Sequence, residues 1–414
     1  MASVRKRKSA GTNSVAKKVR GRAANSEEQN LLRGLTDPGL LVKLSWDGWL
    51  GIGAPYAEVP YTTRDVTVRY TRNGYAWDIH GTLYMPARET MPGIAFFLTH
   101  GGAGSEKEVH ETPDGRPGLA PALAAQGFPA LAVTFPGHYP PGGEWTTPVD
   151  ERWPIYLFDR KLRLAEIKKR NLVCTFNVIV EGMARLTDKC LPGYKVFSFG
   201  HSTGGPMAMA LQKFLRKAEV GGIVGWASGG PDGWAKEWTE WLGEKPPRVR
   251  PIDSMQWRSP DSFRASGYED ARELTPWGAA EEYMVWGNRT KSQMKTSLCD
   301  NQHDGNIEIL KEYARLTGLP ESEFLDYLHD PDPTWLARTP VLLLVGENDR
   351  NHWFYGKTEN EKFEVAIGKR FALRTPRTRV VLIPKYGHFG YAGLHNEKIA
   401  YAWLWALKNG FFAA

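Results

Sequence analysis

The sequence predicts an α/β protein built on a mostly parallel, twisted sheet with helices on both faces. Three observations carry this expectation. Unbroken apolar runs such as Ile94 to Leu98, Val341 to Val345 and Val380 to Ile383 read as strands buried on both faces. Helical stretches at Leu119 to Gln126, Arg160 to about Asp188 and Asn396 to Leu407 alternate with them, which is the rhythm of a parallel sheet. Most specific is the run from Tyr194 to Phe199, an apolar strand that leads through a glycine-flanked serine into the alanine- and methionine-rich stretch Pro206 to Lys217.

The first sheet element is antiparallel. Asp65 to Tyr70 alternates in polarity, the chain turns at Asn73-Gly74, and Ala76 to Met85 returns as the second arm of an edge hairpin. Ile94 to Leu98 follows and leads directly into Thr99-His100-Gly101-Gly102-Ala103-Gly104. Next come the helix Leu119 to Gln126, a strand at Pro129 to Phe135, and the loop Pro136-Gly137-His138. A further apolar strand is expected at Gly222 to Ala227. No internal repeat is visible.

Gly200-His201-Ser202-Thr203-Gly204 has the form G-x-S-x-G, between strand and helix. A serine at such a turn is forced into a strained backbone conformation that exposes its Oγ, and the glycines remove side chains that would collide as the chain doubles back. The helix that follows is expected to aim its positive end at the same point. The bare pattern also occurs by chance in ordinary glycine-rich turns, so its weight comes from the flanking strand and helix.

With this stretch the chain resembles the α/β-hydrolase fold family, over residues 60–230 and 335–412. In that family the nucleophile, acid and histidine follow in this chain order. The resemblance assigns Ser202 as nucleophile, Asp349 in Gly346-Glu347-Asn348-Asp349 as acid, and His388 in Tyr386-Gly387-His388-Phe389-Gly390 as base. Serine is a poor nucleophile at neutral pH, a histidine supplies the base, and a carboxylate fixes the tautomer of that histidine. The N–H of Thr203 and that of Gly101 or Gly102 are the expected oxyanion donors. Ala103 stands where the fuller H-G-G-G motif has its third glycine, so the choice between Gly101 and Gly102 stays open. Glu347 and Asp232 are the rival acids. His100 and His138 are expected to shape loops, and His201, His352 and His395 to have surface or packing roles.

Between Ala227 and Arg338 the strand and helix rhythm is lost. This insertion, with Trp226 at its edge, holds eight of the sixteen tryptophans, which suits a lid over a bulky apolar ligand. Most of those rings are expected to form the insertion's own core. The division is therefore a basic tail at 1–26, an N-terminal extension at 27–60, a first core part at 61–227, a cap at 228–337 and a second core part at 338–414. Trp46, Trp49 and several leucines suggest that the extension is ordered and packed on the main domain.

A chain of 414 residues with 42% apolar side chains can bury a full core. Its net charge of +7 belongs to the tail. Removing Arg5, Lys6, Arg7, Lys8, Lys17, Lys18, Arg20 and Arg22 leaves −1. A disordered tail is expected there, and its two basic clusters have the spacing of a bipartite nuclear-localisation signal. Nucleic acid is the weaker reading of that charge. No apolar run approaches the ~20 residues that span a bilayer, and no signal-peptide pattern is present, so a cytoplasmic protein is expected, with nuclear targeting as the other option. Cys174, Cys190 and Cys299 are scattered and suggest reduced thiols rather than disulfides or zinc. No metal or organic cofactor is implied. The expected function is hydrolysis of an ester, lactone or thioester of a bulky small molecule through an acyl-enzyme. Acyl transfer, amide, peptide or C–C cleavage, and a non-catalytic binding role on the same scaffold remain open.

Overall fold

The computed structural model describes residues 41–101, 116–135, 173, 175–202, 204–226, 255–258, 293–296, 311, 314–325, 339–348, 377–388 and 390–413. In chain order the elements are β1 (Leu41–Lys43), α1 (Trp46–Gly51), β2 (Tyr61–Arg72), β3 (Tyr75–Pro86), β4 (Ile94–Thr99), α2 (Leu119–Ala125), β5 (Ala130–Thr134) and α3 (Phe176–Cys190). There follow β6 (Lys195–His201), α4 (Gly204–Ala210), a 3-10 turn at Leu211–Lys213, β7 (Glu219–Trp226), β8 (Met255–Arg258) and β9 (Gln293–Thr296). The last are α5 (Ser322–Leu325), β10 (Val341–Gly346), β11 (Thr378–Ile383), a 3-10 turn at Gly390–Ala392 and α6 (Glu397–Lys408).

Nine strands form one sheet in the order β1-β11-β10-β7-β6-β4-β5-β3-β2, and β8 and β9 form a separate antiparallel pair. Only β3 runs against the others, pairing antiparallel with β2 on one side and β5 on the other. The hairpin turns at Asn73 and Gly74, whose φ angles of +52° and +77° are those of the turn type that matches strand twist. The parallel sheet with its antiparallel edge agrees with the sequence reading.

Strand alternation divides the core between the two faces. Phe96 and Leu98 of β4 and Phe197 and Phe199 of β6 join Leu119, Leu123, Ile399 and Trp403, so α2 and α6 cover one face. Ala95, Phe97 and Val196 join Ile179, Met183, Leu186 and Met207, so α3 and α4 cover the other. All these side chains are essentially inaccessible, and each large one contributes about 1.5–3 kcal/mol by burial.

Three elements differ from expectation. The helix after the serine is α4 plus one 3-10 turn and stops well short of Lys217. Asp188 is the reason: its carboxylate accepts from the backbone N–H groups of Arg216, Lys217 and Ala218 at 2.8–3.0 Å and draws that segment away from the helix. Strand β7 begins at Glu219, three residues before Gly222, because Gly221 and Gly222 leave room for Lys195 and Phe412 to lie against the backbone. Helix α3 starts at Phe176, where Thr175 in extended conformation caps it by accepting from the Val178 N–H; residues 160–172 of the expected helix lie outside the described residues.

At its N-terminus, the described chain adds β1 to the β11 edge in parallel register, and α1 then lies against the closing helix. Lys398 Nζ donates to the carbonyls of Leu50 and Ile52 at 2.7 Å, and Trp405 Nε1 donates to that of Gly53 at 2.8 Å.

At the other side of the sheet a charged cluster ties α5 to the hairpin and to α3. Glu323 Oε1 accepts from Arg72 Nε at 2.9 Å, Asn73 Nδ2 at 2.9 Å and Thr175 Oγ1 at 2.6 Å, while its Oε2 accepts from Arg72 Nη2 at 2.6 Å. Arg72 Nη1 donates to Glu181, and Asn177 Nδ2 donates to the carbonyls of Ser322 and Glu323. Burial works against the Glu323 carboxylate, but the donors from Arg72, Thr175 and Asn73 outweigh it and hold its pKa below the ordinary value. Both β2 and α3 present to this cluster the end that lies on the carboxyl edge of the parallel strands.

Candidate active site

The carboxyl ends of β4, β6, β7, β10 and β11 lie side by side, and the loops leaving them build one corner. Ser202 leaves β6 with φ +50°, a left-handed conformation that costs a non-glycine residue about 1–3 kcal/mol. Its N–H donates to the Trp226 carbonyl at 3.2 Å and its carbonyl accepts from the Gly205 N–H at 3.1 Å, so both peptides flanking the serine are held. Glycine is required on both sides of it. A Cβ on Gly200 would lie 2.3 Å from the Gly204 carbonyl oxygen, and one on Gly204 would lie 2.2 Å from that of His100. Strand, turn and helix therefore meet through bare backbone.

His100 ends the β4 side of the corner, fully buried. Its Nε2 accepts from the Phe135 N–H at 3.1 Å, so the neutral ring carries its proton on Nδ1 and donates it to the Gly101 carbonyl at 2.6 Å. This is the loop-shaping role the sequence suggests for it. Gly101 lies beside the serine: a Cβ built on it would be 3.4 Å from Ser202 Cβ and 2.7 Å from His201 Nδ1. Gly102 and Thr203 lie outside the described residues.

His388 comes from the loop after β11 and is 3% exposed. Its ring packs at 4.7 Å from that of His201, which also packs at 4.5 Å on Tyr391. The His388 carbonyl accepts from His201 Nε2 at 3.1 Å and from Trp226 Nε1 at 3.0 Å. His201 is 2% exposed, and burial first, then the neighbouring His388, push its pKa well below 6.5, so its ring is neutral.

The loop after β10 runs against that of His388. The Asn348 N–H donates to the Tyr386 carbonyl at 2.9 Å, and Gly346 has no room for a Cβ because the same carbonyl oxygen would be 2.3 Å away. Asp349 follows at once in the chain, but it lies outside the described residues, as does Asp232. Glu347 is exposed, unlike the buried His388. Tyr386 is itself braced: Trp49 Nε1 of α1 donates to its hydroxyl at 3.3 Å, and that hydroxyl donates to the Leu394 carbonyl.

The corner thus brings together Ser202, Gly101 and His388. Sequence reasoning missed Trp226, counted at the edge of the insertion, while His201 has the packing role expected of it; the signal that both would meet the His388 loop was their position as the last residues of adjacent strands. Trp226 is fully buried beneath the site. His138, His352 and the other insertion tryptophan side chains lie outside the described ones, while His395 packs edge-on against Trp46 at 6.4 Å. Among the described residues, no cluster of His, Cys, Asp and Glu could hold a metal ion, and no helix is long and apolar enough to cross a membrane.

Comparison with curated proteins finds no match. Among solved structures, a probable hydrolytic enzyme from Pseudomonas aeruginosa is similar at 17% identity and a TM-score of 0.43, over 81% of this chain and 93% of its own. A serine hydrolase from the polyaromatic-hydrocarbon-degrading bacterium Cycloclasticus zankles is similar at 13% identity and 0.43, over 85% and 100%. The model of the alpha/beta hydrolase family matches residues 96–400, well over half of the sequence. The chain therefore belongs to the alpha/beta hydrolase family.

Proposed function

We propose that the protein is a serine hydrolase that cleaves an ester, lactone or thioester of a bulky, largely apolar small molecule. The observation that carries this reading is the left-handed backbone of Ser202 between glycines at a strand-to-helix turn, in the same corner as the buried His388. In this mechanism Ser202 Oγ attacks the substrate carbonyl carbon while the His388 imidazole takes its proton. The tetrahedral oxyanion is met by the backbone N–H of Thr203 and by that of Gly101 or Gly102. Collapse breaks the bond to the leaving group, which receives the proton from His388. Water, deprotonated by the same ring, then attacks the acyl-serine and restores Ser202. Asp349 orients His388, and the exposure of Glu347 favours Asp349 over that rival. The tryptophan-rich insertion at 228–337 supports the bulky, apolar substrate class.

The test is hydrolysis of p-nitrophenyl esters of increasing acyl length by the wild type and by Ser202→Ala. The reading expects kcat to fall by about 10³-fold or more in the variant, with its Tm unchanged. Equal rates in the two proteins would overturn it.

A further inference from the structure

We infer that His201 and Trp226 are positioning residues that fix His388 relative to Ser202 by jointly donating to the His388 carbonyl; this rests on the reading of His388 as the base. Both donors are buried, and a carbonyl oxygen has two lone pairs, so the two bonds at 3.1 and 3.0 Å satisfy it completely.

The donors stand at the ends of adjacent strands, and each is also tied to the serine. His201 is joined to Ser202 by the peptide bond, and Trp226 accepts the Ser202 N–H through its own carbonyl. A closed circuit results, from the Ser202 backbone through Trp226 to the His388 carbonyl and back through His201. Nucleophile and base share two anchors, so displacing the base requires displacing the turn that carries the nucleophile.

The rings have little freedom to shift. A Cβ on Gly390 would be 2.2 Å from Trp226 Cζ2, the Trp226 indole meets Tyr386 edge-on at 5.8 Å, and the Gly101 backbone closes on His201. The chemistry of the donor also matters. His388 becomes a cation when it takes the serine proton, and a second cation beside it would oppose that step. A neutral imidazole donates from Nε2 without adding charge, whereas lysine or arginine at position 201 would add it. A misplacement of the base by a fraction of an ångström lowers the rate of proton transfer without altering how substrate is held, so the effect belongs in kcat.

The test compares His201→Gln, whose side-chain amide restores a donor, with His201→Met, of similar length and without one. Kinetics with p-nitrophenyl butyrate and the Tm are measured for both, alongside Ser202→Ala. The expected result is kcat about tenfold lower in His201→Met, KM within about twofold, and most of the loss recovered in His201→Gln at comparable Tm. Equal kcat in the Met and Gln variants, or losses that follow Tm rather than the donor, would overturn the inference. If His201→Met does not fold, Trp226→Phe removes the other donor and carries the same expectation against wild type. The two readings fail separately: an active Ser202→Ala refutes the proposed mechanism, whereas an inactive Ser202→Ala with a fully active His201→Met refutes only the positioning role.

Discussion

Two clusters on the carboxyl edge of the sheet hold loops in place by opposite means. Around Ser202 and His388 the anchoring groups are neutral, with imidazole and indole N–H groups donating to a single carbonyl and glycine backbones in contact. At the β2–β3 hairpin the anchoring groups are ionic, with Arg72 between Glu181 and Glu323 and two neutral donors, from Asn73 and Thr175, completing the Glu323 carboxylate. The difference follows from what each cluster must do. On the proposed mechanism charge appears and disappears on His388, and such a corner is best built from groups whose own charge does not change. A structural tie has no such constraint, and a paired, hydrogen-bonded ion cluster gives it direction.

The largest effect is expected where the corner depends on missing side chains. Gly200→Ala places a methyl group 2.3 Å from one backbone atom and 2.4 Å from two others, none of which belongs to a flexible side chain. Ester hydrolysis should fall below detection and stability by about 3 kcal/mol, read by denaturant unfolding. A variant of normal Tm and rate would show that the turn yields freely.

The ionic cluster should break differently. Arg72→Met leaves Glu323, 8% exposed, without its cation, and should cost about 3 kcal/mol in denaturant unfolding while the rate per folded molecule on a small ester stays within about twofold. Replacing Glu323 by Leu in the same variant should restore part of the loss. If the single variant lowers kcat as strongly as stability, the two clusters are coupled and the contrast between them fails.

Acid separates them further. His201 has a folded-state pKa well below 6.5, so the unfolded chain binds a proton there that the folded chain refuses; this stability is complete above 6.5 and declines as pH falls below it. Glu323 has a folded pKa below 4.5, so its contribution is complete above 4.5 and is lost only as pH falls through the folded value. Urea unfolding across pH 3–8 should show the first decline removed in His201→Gln and the second removed in Glu323→Gln. A single onset in wild type, unaffected by either change, would contradict this division.

The smallest effect is expected at Arg69 and Asp78, which form a bidentate pair on the hairpin with the Arg69 side chain 75% exposed. Arg69→Ala should leave Tm unchanged within error, because exposed pairs are screened by water and salt. A clear drop in Tm would show that the outer hairpin is more strongly held than its exposure implies.

Much of this architecture is legible in the sequence because its signals are local. Asn73-Gly74 between alternating runs marks the hairpin, and the glycines around Ser202 mark the turn, each within a few residues. What escapes reading is set by contacts distant in the chain. The helix after Ser202 is cut short by Asp188, which competes from α3 for the N–H groups of residues 216–218. The glycines that delay β7 in the sequence reading are places where Lys195 and Phe412 close in. The bracing of the His388 loop by Trp49 joins residues 337 positions apart, and nothing local to either indole or phenol announces it. Trp226 and His201 are of the same kind, since their partner is a carbonyl on a loop more than 160 residues away.

The central claim is that Ser202 becomes acylated during turnover. It is tested most directly by reacting the full chain with a fluorophosphonate, digesting it, and locating the adduct by mass spectrometry. The account predicts one adduct, on Ser202, formed in step with loss of esterase activity. An adduct on another residue, or full inactivation with Ser202 unmodified, would contradict it.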